Sequence, residues 1–371
     1  VAGTEVSLID DWETALKEIT DAIDVAEKWV LMEFYIWHPG GLADAVMRAL
    51  LRARGRGVIC RLLLDSVGSK RFLRGPFCRA ARDAGVEIVE ALPAGFIKGL
   101  FQRQDIRMHR KIVVIDERVA FTGSLNMADA RLFKSKAGVG QWVDAMVKVE
   151  GTGVSLLKTI FIQDWVGETR ETIEEAKALF LNETFRPRGR RLVQALPSGP
   201  GYFQDAIYQT LLSVLYLARN QILLTTPYFV PDDAIESALI AAARRGVDVT
   251  LIVPAKIDSY LVRYASRSHF SDLMDAGVKV AEFDGGLLHT KTITVDDDLV
   301  LIGSVNLDQR SFWINFEVTL LVYDSDFKLE TEKLQRRYLK ASRMLDMTQW
   351  NERPVYHRVH ENIVRLTSPL L

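Results

Sequence analysis

The chain has 371 residues, of which 48% are hydrophobic and 26% charged, with 47 Lys and Arg against 48 Asp and Glu. This composition is typical of a folded protein of about two domains, and it excludes disordered, collagen-like and low-complexity chains. A net charge of −1 argues against binding nucleic acid through bulk charge. The two cysteines, Cys60 and Cys78, have no metal-ligand spacing, so neither a disulfide scaffold nor a cysteine zinc site is expected.

Segments of the first half of the chain recur in the second half in the same order. The apolar run 30–39, which ends in a proline, recurs at 222–231, 192 positions later. The offset then falls to 180, because the first half carries 12 extra residues between Gly85 and His109. Strand-like runs alternate with helical stretches in both halves, which favours an α/β fold.

The most informative repeat has the pattern H-x-K-x4-D-x6-G-S-x-N, at 109–126 and again at 289–306. Alternation predicts a strand that points His109 and Lys111 to one face, about 6–7 Å apart. An imidazole beside an ammonium suits a phosphodiester, because Lys neutralises non-bridging oxygens while His attacks phosphorus or protonates a leaving oxygen. A single copy would be explained by an ordinary exposed strand face. Two copies that keep every spacing indicate that these side chains have a catalytic role.

The paired motif resembles the phospholipase D superfamily, whose hallmark is two such elements serving one active site. The similarity extends to the bacterial cardiolipin synthases of that superfamily, through segments in both halves and over essentially the whole chain. These segments are 108–116, 121–127, 138–142, 226–231, 285–291, 303–311, 315–317 and 368–371.

The resemblance implies an α/β fold of two similar α/β/α sandwich halves related by pseudo-two-fold symmetry, with one shared active site at their interface. We expect an N-terminal domain over 1–195 and a C-terminal domain over 196–371, each with one motif. Members of the family carry N-terminal membrane helices, and we expect these to be absent from this chain, which has no stretch of ~18–20 apolar residues and starts at Val1. The implied location is the bacterial inner membrane.

The implied reaction is a phosphatidyl transfer between two phosphatidylglycerol molecules, which gives cardiolipin and glycerol through a phosphohistidine. By family analogy His109 is the nucleophile and His289 the acid and base, although the near-symmetry of the motifs leaves the reverse assignment open. No nucleotide, metal or other cofactor is expected, and phosphatidylglycerol and an anionic membrane surface are the expected partners. The sequence makes no prediction of oligomeric state.

The remaining motif positions receive supporting roles. A histidine nucleophile needs a carboxylate on its second nitrogen, and the sequence offers Asp144 in the first half and Glu317 in the second. The other roles are phosphate clamping by Lys111 and Lys291, phosphate hydrogen bonding by Ser124, Asn126, Ser304 and Asn306, and ordering of the site by Asp116 and Asp296.

The extra residues of the first half combine apolar and basic side chains. Such a segment could dip into an anionic lipid surface, or it could be a packed lid helix without lipid contact. The residues concerned are Phe96, Ile97, Leu100 and Phe101, interleaved with Lys98, Arg103 and Arg107.

Three other functions use the same residues. A phospholipase D or another transphosphatidylase would transfer the phosphatidyl group to water or to a different alcohol. A nuclease would cut DNA phosphodiesters, although the near-zero net charge and the apolar insertion disfavour it. A lipid-binding module without activity is disfavoured because no catalytic position of either motif is lost.

Overall fold

The computed structural model describes residues 1–93, 105–135, 137–180, 186–202 and 205–366. The insertion from Phe96 to Arg103 and the terminal 368–371 lie outside the described residues, so the lipid contact of the insertion stays a prediction. The chain divides into two compact units, 1–133 with 145–197 and 316–318, and 134–144 with 198–315 and 319–371. Two short segments, 134–144 and 316–318, thus belong to the unit that the opposite half of the sequence builds.

The first unit is built on one mixed sheet with the strand order β1-β8-β6-β5-β2-β3-β4. Strands β2, β3 and β4 run parallel, and the remaining neighbours are antiparallel. The elements are β1 (Thr4–Ile9), α1 (Trp12–Asp24), β2 (Trp29–Phe34), α2 (Gly41–Gly55), β3 (Ile59–Asp65), α3 (Lys70–Leu73), α4 (Pro76–Asp83), β4 (Glu87–Ala91), β5 (Lys111–Ile115), β6 (Val119–Gly123), β7 (Trp142–Val143, in the second unit), β8 (Met146–Gly151), α5 (Val154–Glu168) and α6 (Ile173–Phe180).

The second unit contains a sheet whose strands run in the order β19-β13-β12-β10-β15-β16-β18. Its elements follow β9 (Leu192–Ser198), which runs from the first unit into the second. They are α7 (Ala206–Leu217), β10 (Gln221–Thr225), β11 (Phe229–Val230), α8 (Asp233–Arg244), β12 (Asp248–Pro254), α9 (Tyr260–Ser268), α10 (Phe270–Asp275), β13 (Lys279–Phe283), β14 (Leu287–Leu288), β15 (Thr292–Val295), β16 (Leu299–Gly303), β17 (Leu307–Asp308), α11 (Gln309–Trp313), β18 (Glu317–Tyr323), α12 (Ser325–Lys340), β19 (Ser342–Met344), α13 (Met347–Asn351) and α14 (Val355–Arg365).

The two sheets repeat one strand order. The run β8-β6-β5-β2-β3-β4 of the first unit corresponds to β18-β16-β15-β10-β12-β13 of the second, with the same parallel and antiparallel neighbours. This confirms the two similar α/β halves that the sequence repeat predicts. Every residue of β2, β5 and β6 is buried, as expected for central strands that are covered on both faces.

The motif histidines lie just outside the strands. The sequence predicts a strand that includes His109, but β5 begins at Lys111, and His289 directly follows β14. The reason is that both histidine backbones bond to other segments. The His109 N–H donates to the Phe316 carbonyl at 2.9 Å, and the His289 N–H donates to the Val143 carbonyl at 2.8 Å.

No helix in the described part of the chain has both the length and the apolar character that crossing a membrane requires. Cys60 and Cys78 are both buried and free.

Candidate active site

In the first unit, His109 is held by a buried carboxylate. Its Nδ1 donates to Oε2 of Glu317 at 2.9 Å, and the Glu317 side chain is fully buried. The ring of Tyr35 meets the imidazole edge-on, with the centroids 4.9 Å apart. Lys111 donates from Nζ to the His109 carbonyl at 2.5 Å. The carboxylate favours the tautomer with the proton on Nδ1 and the lone pair on Nε2.

The second unit repeats this arrangement around His289. Nδ1 donates to Oδ1 of Asp144 at 2.6 Å, and both side chains are buried. The Trp142 ring packs against the imidazole at 4.3 Å between centroids, and Lys291 donates from Nζ to the His289 carbonyl at 2.6 Å. Each unit therefore carries a histidine held through Nδ1 by a carboxylate, and a lysine bonded to the histidine backbone.

The pairing of carboxylates with histidines is the reverse of the one that the sequence predicts. Asp144 follows the first motif and Glu317 the second, so each is the expected partner of the histidine in its own half. That prediction is wrong, because Asp144 lies in the second unit with His289 and Glu317 lies in the first unit with His109. Both residues do serve as histidine partners in the structure.

Two glycines allow the close approach that brings Asp144 to His289. Strands β7 and β14 pair in parallel, and the Leu287 N–H donates to the Gln141 carbonyl at 2.9 Å. Gly286 has φ +125°, and a Cβ there would lie 2.3 Å from the Gln141 oxygen, while a Cβ on Gly140 would lie 2.9 Å from Gly286 Cα. Only glycine fits at these positions without moving the backbone.

Gly286→Ala is expected to lower both thermal stability and kcat, because the added methyl pushes the segment that carries Asp144 away from His289. The backbone strain alone costs about 1–3 kcal/mol. Gly277→Ala is the matched control, since Gly277 has φ +98° and a Cβ added there would meet no atom within 4 Å. The control should lose stability and keep kcat, measured below the unfolding transition of both variants. An equal kcat in the two variants would contradict the positioning role of this contact.

A buried ion pair supports the Glu317 backbone in the first unit. Arg110 donates from Nε to the Glu317 carbonyl at 2.9 Å and from its guanidinium to Asp164. Glu33 lies beside them, fully buried. Burial, reinforced by the nearby Asp164 carboxylate, raises the pKa of Glu33 well above its usual 4.5. The sequence gives no signal for this cluster, because its members come from β2, α5 and the residue between the two motif side chains.

Replacing Asp164 and Glu33 separately should give opposite results. Asp164→Asn leaves the Arg110 charge buried without its partner and should cost about 3–5 kcal/mol of stability.

Glu33→Gln keeps the neutral form and shape. Since the folded pKa of Glu33 is raised, its stabilising contribution is complete below pH 4.5 and is lost as pH rises towards the folded pKa. The melting temperature of Glu33→Gln minus that of the wild type should therefore increase as pH rises. A difference that stays constant with pH would contradict this prediction.

Neutral groups occupy the equivalent place behind His289. The hydroxyl of Thr290 bonds to the Val143 carbonyl at 3.2 Å and to the Tyr338 hydroxyl at 3.1 Å. Beside it, the buried Gln335 amide donates to the Leu223 carbonyl at 3.0 Å. The two histidines thus have the same direct contacts, a carboxylate at Nδ1 and a lysine at the backbone carbonyl. The next groups out are charged in the first unit and neutral in the second.

The motif aspartates bind backbone rather than the histidines. Both adopt a left-handed conformation, with φ +49° at Asp116 and +47° at Asp296. Asp116 accepts from the backbone N–H groups of 27–29, and Asp296 from those of 219–221. Burial alone would raise the pKa of Asp296, but these backbone donors lower it below its usual value. The aspartates therefore fix the starts of β2 and β10, and the ordering of the active site by them stays a prediction.

The predicted phosphate donors are all buried. The Ser124 hydroxyl accepts from the Ala145 N–H at 3.1 Å, and Asn126 Oδ1 accepts from the Ile36 N–H at 3.3 Å. Asn306 Oδ1 accepts no hydrogen bond from the described residues. The contacts of Ser124 and Asn126 connect the segment after β6 to neighbouring strands, and phosphate binding by these side chains stays a prediction.

A charged and aromatic cluster near His289 was not predicted from the sequence. Asp258 accepts from Lys134 Nζ at 2.7 Å and from the Tyr228 hydroxyl at 2.8 Å. Burial would raise the pKa of Asp258, but the hydrogen bond and charge of Lys134 lower it below its usual value, helped by Tyr228 and by the charge of His289. Lys134 Nζ also lies 5.5 Å from the Trp142 ring centre. Within the described ranges, no group of three or more His, Cys, Asp or Glu side chains has the arrangement of a metal site.

Comparison with known proteins agrees with this architecture. The family model "Cardiolipin synthase, PLD-like domain" matches residues 19–165 and 211–338. Cardiolipin synthase A from Yersinia pseudotuberculosis (strain IP 31758) and that from Yersinia pestis bv. Antiqua (strain Angola) are each 46% identical over all of this chain and 76% of their own length.

Among solved structures, phosphatidylserine synthase from Haemophilus influenzae Rd KW20 matches 99% of this chain and 95% of its own, with a TM-score of 0.72 and 16% identity. Polyphosphate kinase from Porphyromonas gingivalis matches 90% of this chain and 50% of its own, with a TM-score of 0.57 and 16% identity. These two similarities concern the fold. From the family match and the extent of sequence identity, the chain belongs to the cardiolipin synthase family of phospholipase D-like phosphatidyltransferases, which act on phospholipid substrates.

Proposed function

We propose that this chain transfers a phosphatidyl group from one phosphatidylglycerol to another, with His109 as nucleophile and His289 as acid and base. The observation that carries the proposal is the pair of histidine–carboxylate contacts, 2.9 Å to Glu317 and 2.6 Å to Asp144. Each contact is made through Nδ1, so the proposal assigns the reaction to Nε2 of both rings. The choice of His109 as nucleophile follows the family resemblance.

In the first step, His109 Nε2 attacks the phosphorus of the donor and a P–N bond forms. The P–O bond to the glycerol head group breaks, and His289 gives its Nε2 proton to the departing oxygen, so that glycerol leaves. Glu317 stabilises the positive charge that develops on the His109 ring. Lys111 and Lys291 would neutralise the non-bridging oxygens, where negative charge increases in the transition state.

In the second step, a primary hydroxyl of the acceptor phosphatidylglycerol gives its proton to His289 and attacks phosphorus. The P–N bond breaks, His109 returns to its starting state, and cardiolipin is released. Asp144 keeps the proton of His289 on Nδ1, so that Nε2 can give and take a proton in turn. The bond that forms resembles the bond that breaks, so the exchange balances without an energy-rich co-substrate.

We also infer that the enzyme works at an anionic membrane surface, the bacterial inner membrane, because its proposed donor and acceptor are both anionic membrane lipids. The proposal is tested by incubating the protein with phosphatidylglycerol vesicles and separating the products. Cardiolipin with an equal amount of glycerol is the expected result. Phosphatidic acid would show that water is the acceptor, and absence of any lipid product together with cleavage of DNA would indicate a nuclease.

A further inference from the structure

The outer face of α14 is apolar. Five side chains on or next to this helix are more than half exposed: Val355, Tyr356, Val359, Ile363 and Leu366. At 3.6 residues per turn they fall within about 100° of one another, on a single face. This set of five residues is called the C-terminal stripe below. Scattered apolar residues on a surface are ordinary, but a continuous stripe on one helix face marks an interaction surface.

The opposite face of the same helix is already packed against the second unit. Val364 belongs to a buried cluster with Val230 and Ala265, and buried Glu361 accepts from Arg267 at 3.0 Å and from Arg353 at 2.9 Å. The C-terminal stripe therefore contributes little to packing within the described unit and is available to another partner.

An aromatic side chain of α9 extends the stripe. Tyr260 is 61% exposed and its hydroxyl lies 3.0 Å from Nε2 of His360 on α14. The rings of Tyr264 and His360 also meet edge-on, at 4.6 Å between centroids. Tyrosine suits a boundary between lipid and water, because its ring is apolar while its hydroxyl stays hydrated.

A basic pocket opens beside the first turn of α14. Its volume is about 630 Å³, and Pro354 and His357 of that turn contribute to its wall. Five cationic side chains line it against two carboxylates. The cationic residues are Lys256, Arg263, Arg267, Arg343 and Arg353, and the carboxylates are Glu282 and Asp284.

Two of these cations extend into solvent. The side chains of Lys256 and Arg343 are 63% and 72% exposed, and their carboxylate contacts are 3.9 Å to Asp284 and 2.6 Å to Glu282. In the pair of Lys256 with Asp284 both side chains are exposed, and such a pair is weak enough to be exchanged for a stronger anionic partner, whereas Arg343 is paired with the buried Glu282. The pocket therefore combines two half-buried guanidinium groups, of Arg267 and Arg353, which Glu361 holds in place, with positive charge that extends into solvent.

We propose that the C-terminal stripe and the basic pocket together dock on the surface of an anionic phospholipid bilayer. An apolar helix face with cations beside it is the pattern of an interfacial helix, whose apolar side chains enter the head-group region while the cations bind phosphate. Charge complementarity selects this partner over an uncharged apolar one. The choice of phospholipid rests on the proposed function, but binding is measured without turnover.

The apolar part is tested by flotation with vesicles of phosphatidylglycerol and phosphatidylcholine. Val359→Ser combined with Ile363→Ser should weaken binding by at least roughly tenfold. Leu217→Ser is the matched control, because Leu217 is 75% exposed on α7 of the same unit, and it should bind as the wild type does. Thermal unfolding establishes that each variant is folded. Tyr356→Ser is an independent, milder change, and its loss of vesicle binding should lie between those of the control and the double variant.

The basic part is tested in the same assay. Lys256→Gln combined with Arg343→Gln should weaken binding to vesicles that contain phosphatidylglycerol and leave binding to pure phosphatidylcholine unchanged. Lys17→Gln with Arg48→Gln, which removes two cations of the first unit, is the control for net charge. Equal losses in the two double variants would show that bulk charge, and not this pocket, binds the lipid.

A folded stripe variant that floats like the wild type would overturn the proposal. A changed oligomeric state with unchanged flotation would also overturn it, and would identify the stripe as a contact between copies of the chain. His109→Ala separates this proposal from the proposed function, since it should bind vesicles normally without making cardiolipin. Normal flotation of the wild type without cardiolipin formation would contradict the reaction and leave the docking surface standing.

Discussion

His109→Ala and His289→Ala are each expected to lower the rate of cardiolipin formation by about 10³-fold or more, and the double variant is expected to be little worse than either. The reason is that one transfer needs both a nucleophile and an acid, so loss of either stops the same reaction. Initial rates on phosphatidylglycerol vesicles provide the measurement, with vesicle binding as the check that the variants remain competent to meet their substrate.

Losses that multiply in the double variant would contradict a reaction shared by the two histidines. So would single variants that each keep about half of the activity, because that is the result for two independent sites. The single active site that the sequence predicts is therefore tested by these rates.

Glu317→Gln and Asp144→Asn should each reduce kcat by about 10² to 10⁴-fold, in different steps. Glu317 accepts from the His109 ring, so its amide variant should slow formation of the phosphohistidine. Asp144 accepts from the His289 ring, so its amide variant should slow protonation of the leaving group and recover in part with a substrate whose leaving group needs no proton. Rapid-quench measurement of the two steps separates the variants.

Glu317→Asp is the conservative comparison for the first of these variants and should recover part of the lost rate and the wild-type dependence of kcat on pH. Glu174→Gln, at an exposed position of α6, is the control for loss of one carboxylate. Partial recovery of Glu317→Gln by the substrate with a good leaving group, with no recovery of Asp144→Asn, would contradict the crossed pairing.

The repeated strands and the identity of the motif side chains could be predicted because they depend on local sequence. Apolar runs at matched spacing predict β2 and β10, and both are present. The motif spacing alone also indicates that each histidine and its lysine belong to one segment, and the lysines do bond to the histidine carbonyls at 2.5 and 2.6 Å.

The crossed carboxylates could not be predicted, because sequence separation gives no information about which unit a short segment joins. Asp144 is 35 residues from His109 and 145 from its actual partner His289. The signal that could have indicated the exchange lies in Gly140 and Gly286, whose lack of a side chain permits the two backbones to meet. Pairing of β7 with β14 depends on that contact and not on any local propensity of two-residue strands.

The sequence repeat also could not predict that charged groups support the segment next to His109 while neutral groups support the one next to His289. Arg110 and Thr290 occupy equivalent motif positions, and each bonds to the backbone of the segment that carries a carboxylate. The buried charge of Arg110 requires Asp164 nearby, whereas the Thr290 hydroxyl is satisfied by neutral partners. Equivalent positions in a duplicated fold can thus perform one positioning task with different chemistry.

Localisation of the covalent intermediate tests the proposed mechanism most directly. His289→Ala is mixed with a phosphatidyl donor whose leaving group departs without protonation, the reaction is quenched in alkali, and the modified peptide is identified by mass spectrometry. The expected result is an acid-labile, alkali-stable adduct on His109, with no adduct in His109→Ala. An adduct on His289 in the His109→Ala protein, with His109 unmodified in the His289→Ala protein, would contradict the assignment of the nucleophile.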